Sequence, residues 1–374
     1  MPSWSNILQE VQGSRLPNGA LDLDGVRRAK YRALAAHTGR PLLIYASDFF
    51  NQGKIVGSGG EVNLDFRDKN GFEECTHNIP GPNLDVLLHS PGGLAEAAES
   101  IVKLLRTKYT DIRFIIPSMA KSAATMLALS GNSLVMNELS ELGPTDPQFS
   151  MQRADGTQIQ APAQAIIDQF DAAQKQLSAD AKLLPAWIPI LPIYGPALYQ
   201  QCKNAIKLSE RLVKEWLATY MFANKPRRKA LKSAQKVAYF FANHNNFLTH
   251  ARRVDVDQMI ALGATVHDLR KDPTTRKLIQ DVYAAIIITF DSSGAFKLIE
   301  NSAGDAYVRM VAMPQLAFPG APGMIITPQP HAPATHTPPA CPCAWACTQS
   351  MHAPPDGPHV ALATFAHWFE GVQQ

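Results

Sequence analysis

Hydrophobic and polar positions alternate most regularly between residues 84 and 136. Leu84–His89 is a short, nearly continuous apolar run and reads as a buried strand. Leu94, Ala97, Ala98, Ile101, Leu104 and Leu105 then recur at helical spacing and predict a helix over 94–109 with one face on a sheet. Ile112–Pro117 predicts a second strand, Ser122–Leu129 a second helix and Ser133–Met136 a third strand. Strands alternating with helices in this way argue for an α/β fold with parallel strands.

The flanks are less regular. Asp24–His37 mixes basic and apolar residues at helical spacing, and Pro41–Ala46 reads as a short buried strand, whereas Asn63–Gly71 is polar and turn-rich. Residues 163–243 predict a mostly helical region, interrupted by the proline-rich segment Pro185–Pro196. Val256–Leu262 predicts a helix capped by Gly263, with Ala264–Val266 as a strand after it. Leu278–Phe290 is apolar enough for either helix or strand. From about Met313 the texture changes: about a dozen of the 28 prolines fall between Pro314 and Pro358 among Ala, Thr and His. Such a segment cannot build a packed core, so the expected division is a folded domain over 1–312 and a disordered tail over 313–374.

The candidate chemistry sits inside the regular region. The first strand ends in Ser90-Pro91-Gly92-Gly93, and one βαβ unit later Lys121-Ser122-Ala123-Ala124-Thr125 opens a helix, followed by Leu142-Gly143-Pro144-Thr145-Asp146-Pro147-Gln148. A glycine pair at a strand end offers backbone N–H groups to a developing oxyanion, and a serine at a helix start can be aimed at the same point. Ser122 is therefore a candidate nucleophile. Serine is also a favoured N-cap, so a structural role in starting the helix is the competing reading.

These motifs, with Trp4-Ser5-Asn6-Ile7-Leu8, Ala161-Pro162-Ala163, Val213-Lys214-Glu215-Trp216-Leu217 and Lys297-Leu298-Ile299-Glu300-Asn301 in order over about the first 310 residues, resemble the SDH-type Clp-fold serine proteinases ("serine dehydrogenase proteinase"), relatives of signal peptide peptidase A and Clp protease. The resemblance implies a ClpP/crotonase-like α/β fold of repeated ββα/βαβ units with an additional helical region. It also implies peptide hydrolysis through an acyl-enzyme on Ser122, an oxyanion hole from the N–H groups of Gly93 and Ala123 with Gly92 shaping the turn, and assembly as a homo-oligomer without a cofactor. This chain departs from the usual pattern by placing Lys121 before the serine and Ala124 where glycine is common. Clp proteases carry a histidine base on a later strand, but residues 143–148 contain none. The relatives of signal peptide peptidase A use a downstream lysine, which points to Lys175 first and Lys182 second, while another Ser-Lys branch would align Gln164 there. A lysine base must be neutral, which lowers its pKa by about 3 units at a cost of about 4 kcal/mol through desolvation. Asp146 is the candidate to orient a base, although Asp before Pro is also a turn pair. A catalytically silent scaffold and a crotonase-type acyl-CoA enzyme are the rival readings.

Composition narrows the classes further. At 374 residues, 46% hydrophobic and 18% charged, the chain reads as globular, and a net charge of +3 gives no argument for nucleic acid. The basic cluster Lys225–Lys232 reads as a solvated helix face or linker. Met1-Pro2-Ser3-Trp4 does not start a secretory signal, and no run reaches the roughly 18 apolar residues of a membrane helix, so a cytoplasmic protein is expected. Cys75 and Cys202 are isolated, as in a reducing compartment. His77 and His89 read as satisfied or exposed imidazoles, and His244 and His250 carry no metal spacing. Cys341-Pro342-Cys343 with Cys347 is a poor zinc pattern in a proline-rich context, and Gly57-Ser58-Gly59-Gly60 lacks the following helix of a phosphate loop. No metal and no cofactor are expected.

Overall fold

The computed structural model describes residues 3–152, 156–190 and 197–312. The chain divides into two units, Met1–Gln315 and Leu316–Gln374, and the second, with its Cys-Pro-Cys motif, lies outside the described residues.

Two helices, α1 (Ser3–Gly13) and α2 (Leu23–Thr38), precede strand β1 (Leu42–Ser47). Short α3 (Gln52–Gly57) and α4 (Asp68–His77) lead to β2 (Asn83–His89), α5 (Ala95–Arg106), β3 (Asp111–Ile115), β4 (Met119–Ala120), α6 (Ala123–Leu129) and β5 (Ser133–Met136). The expected alternation is thus present, with boundaries shifted by up to a few residues. The polar stretch 63–71 departs from its reading as turns, because its second half starts α4. There the Asp68 carboxylate accepts from Asp65 N–H and anchors the helix start (2.9 Å).

Next come β6 (Glu141–Leu142), the hairpin β7 (Gln148–Gln152) and β8 (Gln158–Pro162), and the helices α7 (Ala163–Ala179), α8 (Leu184–Trp187), α9 (Leu198–Trp216) and α10 (Arg227–Ala242). The basic residues at the start of α10 are exposed. Then follow α11 (Val256–Leu262), β9 (Val266–Asp268), α12 (Pro273–Ser292), β10 (Ala295–Asn301) and β11 (Ala306–Met310). Gly263 caps α11 in the left-handed region, as expected, at φ 82°. The ambiguous run 278–290 is helix, started by Pro273 in its first turn and by the Asp272 carboxylate, which accepts from Thr275 N–H. Among the described residues no helix is long and apolar enough to cross a membrane.

The main sheet has seven strands in the order β11-β10-β1-β2-β3-β5-β9, parallel from β1 to β9 and antiparallel at β10 and β11. Successive side chains divide between its faces. Leu43, Tyr45, Val86, Leu88, Phe114 and Leu134 enter the larger core with α4, α5, α6, α9 and α10. Leu42, Ile44, Ala46, Leu87, Ile115 and Val135 meet α2 and α12 on the other side. Helices on both faces of a mostly parallel sheet form the α/β architecture that the alternating pattern predicts.

Strand β10 is buried along its whole length, and it carries one charge into each layer. Glu300 faces α2, where the Arg27 guanidinium donates to both carboxylate oxygens (2.7 and 2.7 Å) and Tyr31 Oη donates at 2.9 Å. Lys297 faces α4 and donates to both oxygens of Asp68 at 2.7 and 2.9 Å. Removing one partner of such a pair leaves the other charged and buried. Arg27→Met is expected to lower the unfolding free energy by about 3–5 kcal/mol in urea titrations. A change within about 0.5 kcal/mol, the range of neutral surface substitutions, would show that the pair contributes nothing.

His89, at the end of β2, is not exposed. It is fully buried between Phe49 and Tyr283, its ring makes no hydrogen bond of good geometry, and burial, opposed by the Met119 backbone, pushes its pKa down to about 3. Between pH 6.5 and about 3 the unfolded chain therefore binds a proton that the native chain refuses, so this residue makes stability fall as pH drops through that window. Within it, wild type is expected to lose up to about 1.4 kcal/mol per pH unit relative to His89→Leu. Parallel pH–stability curves for the two proteins would refute the assignment.

Candidate active site

Ser122 begins α6 in a conformation that a non-glycine residue rarely adopts, φ 50° and ψ −121°. Such backbone costs about 1–3 kcal/mol and persists only where the surroundings fix it. They do so here from both sides. Ser90 N–H donates to Met119 O and Lys121 N–H to Ser90 O, both at 3.0 Å, joining the end of β2 to β4. On the other side Met126 N–H donates to Ser122 O, while Thr125 Oγ1 donates to Ala120 O (2.7 Å) and accepts from Gly143 N–H (2.9 Å). The Ser122 hydroxyl makes no cap hydrogen bond, although the residue occupies the N-cap position and is partly exposed. Starting the helix is therefore not what this hydroxyl does.

The glycine pair lies against this serine. A Cβ on Gly92 would stand 2.6 Å from Ser122 Cβ and 2.5 Å from Lys121 O, and Gly92 has φ 97°, so both space and conformation exclude a side chain. Gly93, at φ 154°, is held by Leu64. Leu64 N–H donates to Gly92 O (2.7 Å) and Leu94 N–H to Leu64 O (2.9 Å), a parallel bridge that leaves no space for a Cβ at Gly93. In a parallel bridge these bonds flank the opposite residue, so the N–H of Gly93 points away from Leu64. Gly92 N–H donates to Ser90 Oγ at 3.2 Å, whereas among the described residues no protein acceptor receives Gly93 N–H or Ala123 N–H. Two free backbone donors beside a strained serine hydroxyl form an arrangement able to stabilise an alkoxide or tetrahedral oxyanion.

The two departures at this site have structural homes. Lys121 Nζ donates to Glu141 Oε2 (2.7 Å) and Leu142 O (3.3 Å), so its charge is held by β6. Ala124 is fully buried in the larger core.

Asp146 is 1% exposed. Its Oδ1 accepts from His250 Nδ1 at 2.7 Å, and its Oδ2 accepts from His244 Nδ1 at 3.0 Å and from the Gln148 amide at 2.9 Å. Sequence reasoning found the carboxylate but missed both imidazoles. The signal is one of register: Leu142 and Val254 form an antiparallel bridge, and counting four residues outward from each brings Asp146 opposite His250. On its other side Leu142 pairs in parallel with Ala120, two residues before Ser122. The helical region braces this segment, since Thr145 N–H donates to Phe241 O in α10 and Ser209 Oγ of α9 donates to Thr145 O, both at 2.9 Å. An imidazole whose Nδ1–H is held by a buried carboxylate presents Nε2 as a base.

Lys175 is exposed on α7, whose buried face (Ala163, Ile166, Ile167, Ala173) packs in a separate small cluster with Leu198 and Cys202, and Lys182 is exposed on the short 3-10 turn after it. Gln164 of the same helix donates to Asp168 at 2.7 Å. His77 is exposed. Among the described residues no cluster of His, Cys, Asp and Glu is arranged to hold a metal ion.

Residues 76–186 match the family described as ClpP-like SDH-type serine proteinase. Two uncharacterized proteins of Methanocaldococcus jannaschii are also similar. One is 41% identical over 66 residues, covering 18% of this chain and 23% of the relative, and the other 30% identical over 101 residues, covering 27% and 32%. The chain therefore spans under a third of the length of either relative. Among solved structures, a serine-to-alanine mutant of the 1510-N membrane-bound stomatin-specific protease is 15% identical, with a TM-score of 0.32 over 57% of this chain and 79% of that one. A lysine-to-alanine mutant of the same protease, in complex with a substrate peptide, is 15% identical with a TM-score of 0.26 over 55% and 86%. Over residues 76–186, on a ClpP-like α/β fold, the chain carries the pattern of the ClpP-like SDH-type serine proteinase family.

Proposed function

We propose that this protein is a serine peptidase that cleaves peptide bonds through an acyl-enzyme on Ser122. The observation that carries the reading is the strained Ser122, its hydroxyl free of any capping role, set against a glycine turn with two undonated N–H groups. Ser122 Oγ attacks the substrate carbonyl carbon, the Gly93 and Ala123 N–H groups receive the oxyanion, and Gly92 shapes the turn. The amine then leaves with a proton, and water releases the acyl group.

For the base this reading takes His250, oriented by Asp146. Its Nδ1–Asp146 contact is shorter than that of His244, and its side chain is 28% exposed against 14%, which leaves Nε2 better able to meet a substrate. The lysines are less suited, because a lysine acts as a base only where desolvation favours its neutral form, and Lys175 and Lys182 are both exposed. Peptide or protein is the substrate class, and no cofactor enters the chemistry.

A fluorophosphonate probe followed by peptide mapping tests the nucleophile. Labelling is expected on Ser122 in wild type and absent in Ser122→Ala, which should melt within a few degrees of wild type. His250→Ala and Asp146→Asn are expected to slow labelling about 10³-fold or more, His244→Ala by less than about tenfold, and Lys175→Met and Lys182→Met hardly at all. Collapse of the rate in Lys175→Met with His250→Ala unaffected would return the base to a lysine. A wild type that is never labelled and cleaves no peptide would leave a silent scaffold.

A further inference from the structure

The glycine turn is tied to a buried ion pair outside the reacting groups. Lys297 and Asp68 are both 0% exposed, and no step of the proposed chemistry uses either. Two hydrogen-bonded arms end on the turn, and the first runs from this pair. In the first, Lys297 Nζ donates to Asn63 O (2.7 Å) and Asp68 Oδ2 accepts from Asp65 N–H (2.9 Å), so the pair grips the chain on either side of Leu64. Leu64 in turn holds Gly92 O and Leu94 N–H. In the second arm Ser90 Oγ accepts from Gly92 N–H at 3.2 Å, while Tyr45 Oη donates to Asp68 Oδ2 of the first at 2.7 Å. Tyr45 and Ser90 are also fully buried.

The Tyr45 hydroxyl donates to a carboxylate that also accepts from a buried ammonium, and Ser90 Oγ meets the Gly92 N–H from a fully buried position. The two arms hold the peptide planes on either side of the Gly92 Cα: the Ser90 arm holds the Pro91–Gly92 plane through Gly92 N–H, and the Leu64 arm holds the Gly92–Gly93 plane through Gly92 C=O. Gly93 N–H lies in the second plane, opposite the held carbonyl, so with both planes held it has little freedom to turn.

We propose that Lys297, Asp68, Tyr45 and Ser90 are positioning residues that aim the Gly93 N–H at the oxyanion. The role rests on the peptidase reading above. An oxyanion donor acts over a narrow range of distance, and a displacement of about 1 Å costs on the order of a hundredfold in rate. The buried pair would thus act on the rate of the covalent step rather than on the affinity for what is bound.

The test measures fluorophosphonate labelling of the full chain over a range of probe concentrations, which separates the maximal labelling rate from the half-saturating concentration. Ser90→Ala and Tyr45→Phe are expected to lower the maximal rate about 10- to 100-fold and to leave half-saturation within about twofold. Arg27→Met, a destabilising change on the other face of the sheet, should leave the maximal rate close to wild type. Lys297→Met should release the Leu64 arm, and Tyr45→Phe carries the test if that variant fails to fold. Unchanged maximal rates in Ser90→Ala and Tyr45→Phe, or equal losses in Arg27→Met, would overturn the proposal.

A second readout needs no activity. Amide hydrogen exchange should show Gly92 N–H losing protection in Ser90→Ala and Leu64 N–H losing it in Tyr45→Phe while the amides of α12 keep theirs. If wild type is never labelled at Ser122, the peptidase reading fails and exchange alone decides the positioning role. Unchanged protection of Gly92 N–H in the first variant and of Leu64 N–H in the second would then overturn it.

Discussion

At Gly92 two stretches of backbone meet with no volume between them for even a methyl group: the turn after β2 lies against the Lys121 carbonyl and the Ser122 Cβ. This contact constrains much else. It requires β2 and the short β4 to run side by side up to the Ser90–Ala120 bridge, and it requires Ser122 to leave β4 through a strained conformation so that α6 can turn back into the core. The Leu64 segment must then come over the top, because Gly93 otherwise has nothing to hold it. A larger residue at Gly92 would therefore displace the nucleophile candidate and the glycine turn together.

The helices between residues 163 and 242 look like an addition to a smaller α/β unit, but two of them are tied into the site. Leu212, Val213 and Trp216 of α9 and Val237, Ala238 and Phe241 of α10 belong to the same apolar cluster as α6 and the central strands. Their polar contacts are few and placed where they matter: Ser209 and Phe241 hold the two backbone groups of Thr145, next to Asp146. Apolar burial supplies the cohesion, being proportional to area and without direction. Directional bonds at Thr145 then fix where the carboxylate stands, and on its other side Ala163 N–H, at the start of α7, donates to Pro147 O at 2.8 Å.

How much of this could be read from the sequence followed the range of the interactions. Local signals identified the alternation from β2 to β5, the glycine pair and Ser122, because apolar period, strand length and turn residues are properties of adjacent positions. The helix α4 was hidden by the polarity of residues 63–71, since Asp68 looks like a turn residue until Lys297, 229 positions away, explains its burial. Strand β10 was equally opaque: a Lys and a Glu within five residues suggest surface, and only the partners on each face show why both are buried. The helix over 278–290 was undecidable by period because α12 has buried positions around much of its circumference. His250 was missed because its tie to Asp146 depends on the antiparallel register at Leu142 and Val254, which no local pattern encodes.

Buried charges in this protein serve geometry more than cohesion. A buried ion pair contributes little net stability compared with an apolar replacement of the same shape, because desolvating both charges offsets their attraction. What the pair supplies is direction. Arg27 and Glu300 fix the register of α2 against β10 through two parallel bonds, while Lys297 and Asp68 fix the path of the chain around Leu64. The two pairs share one strand and face opposite layers, yet only the second is connected by hydrogen bonds to the glycine turn. A site that must present a backbone N–H to a transient charge has no side chain there to adjust, so its precision has to come from what holds the peptide planes. In this fold those planes are held from the layer opposite α12, through residues buried in the core.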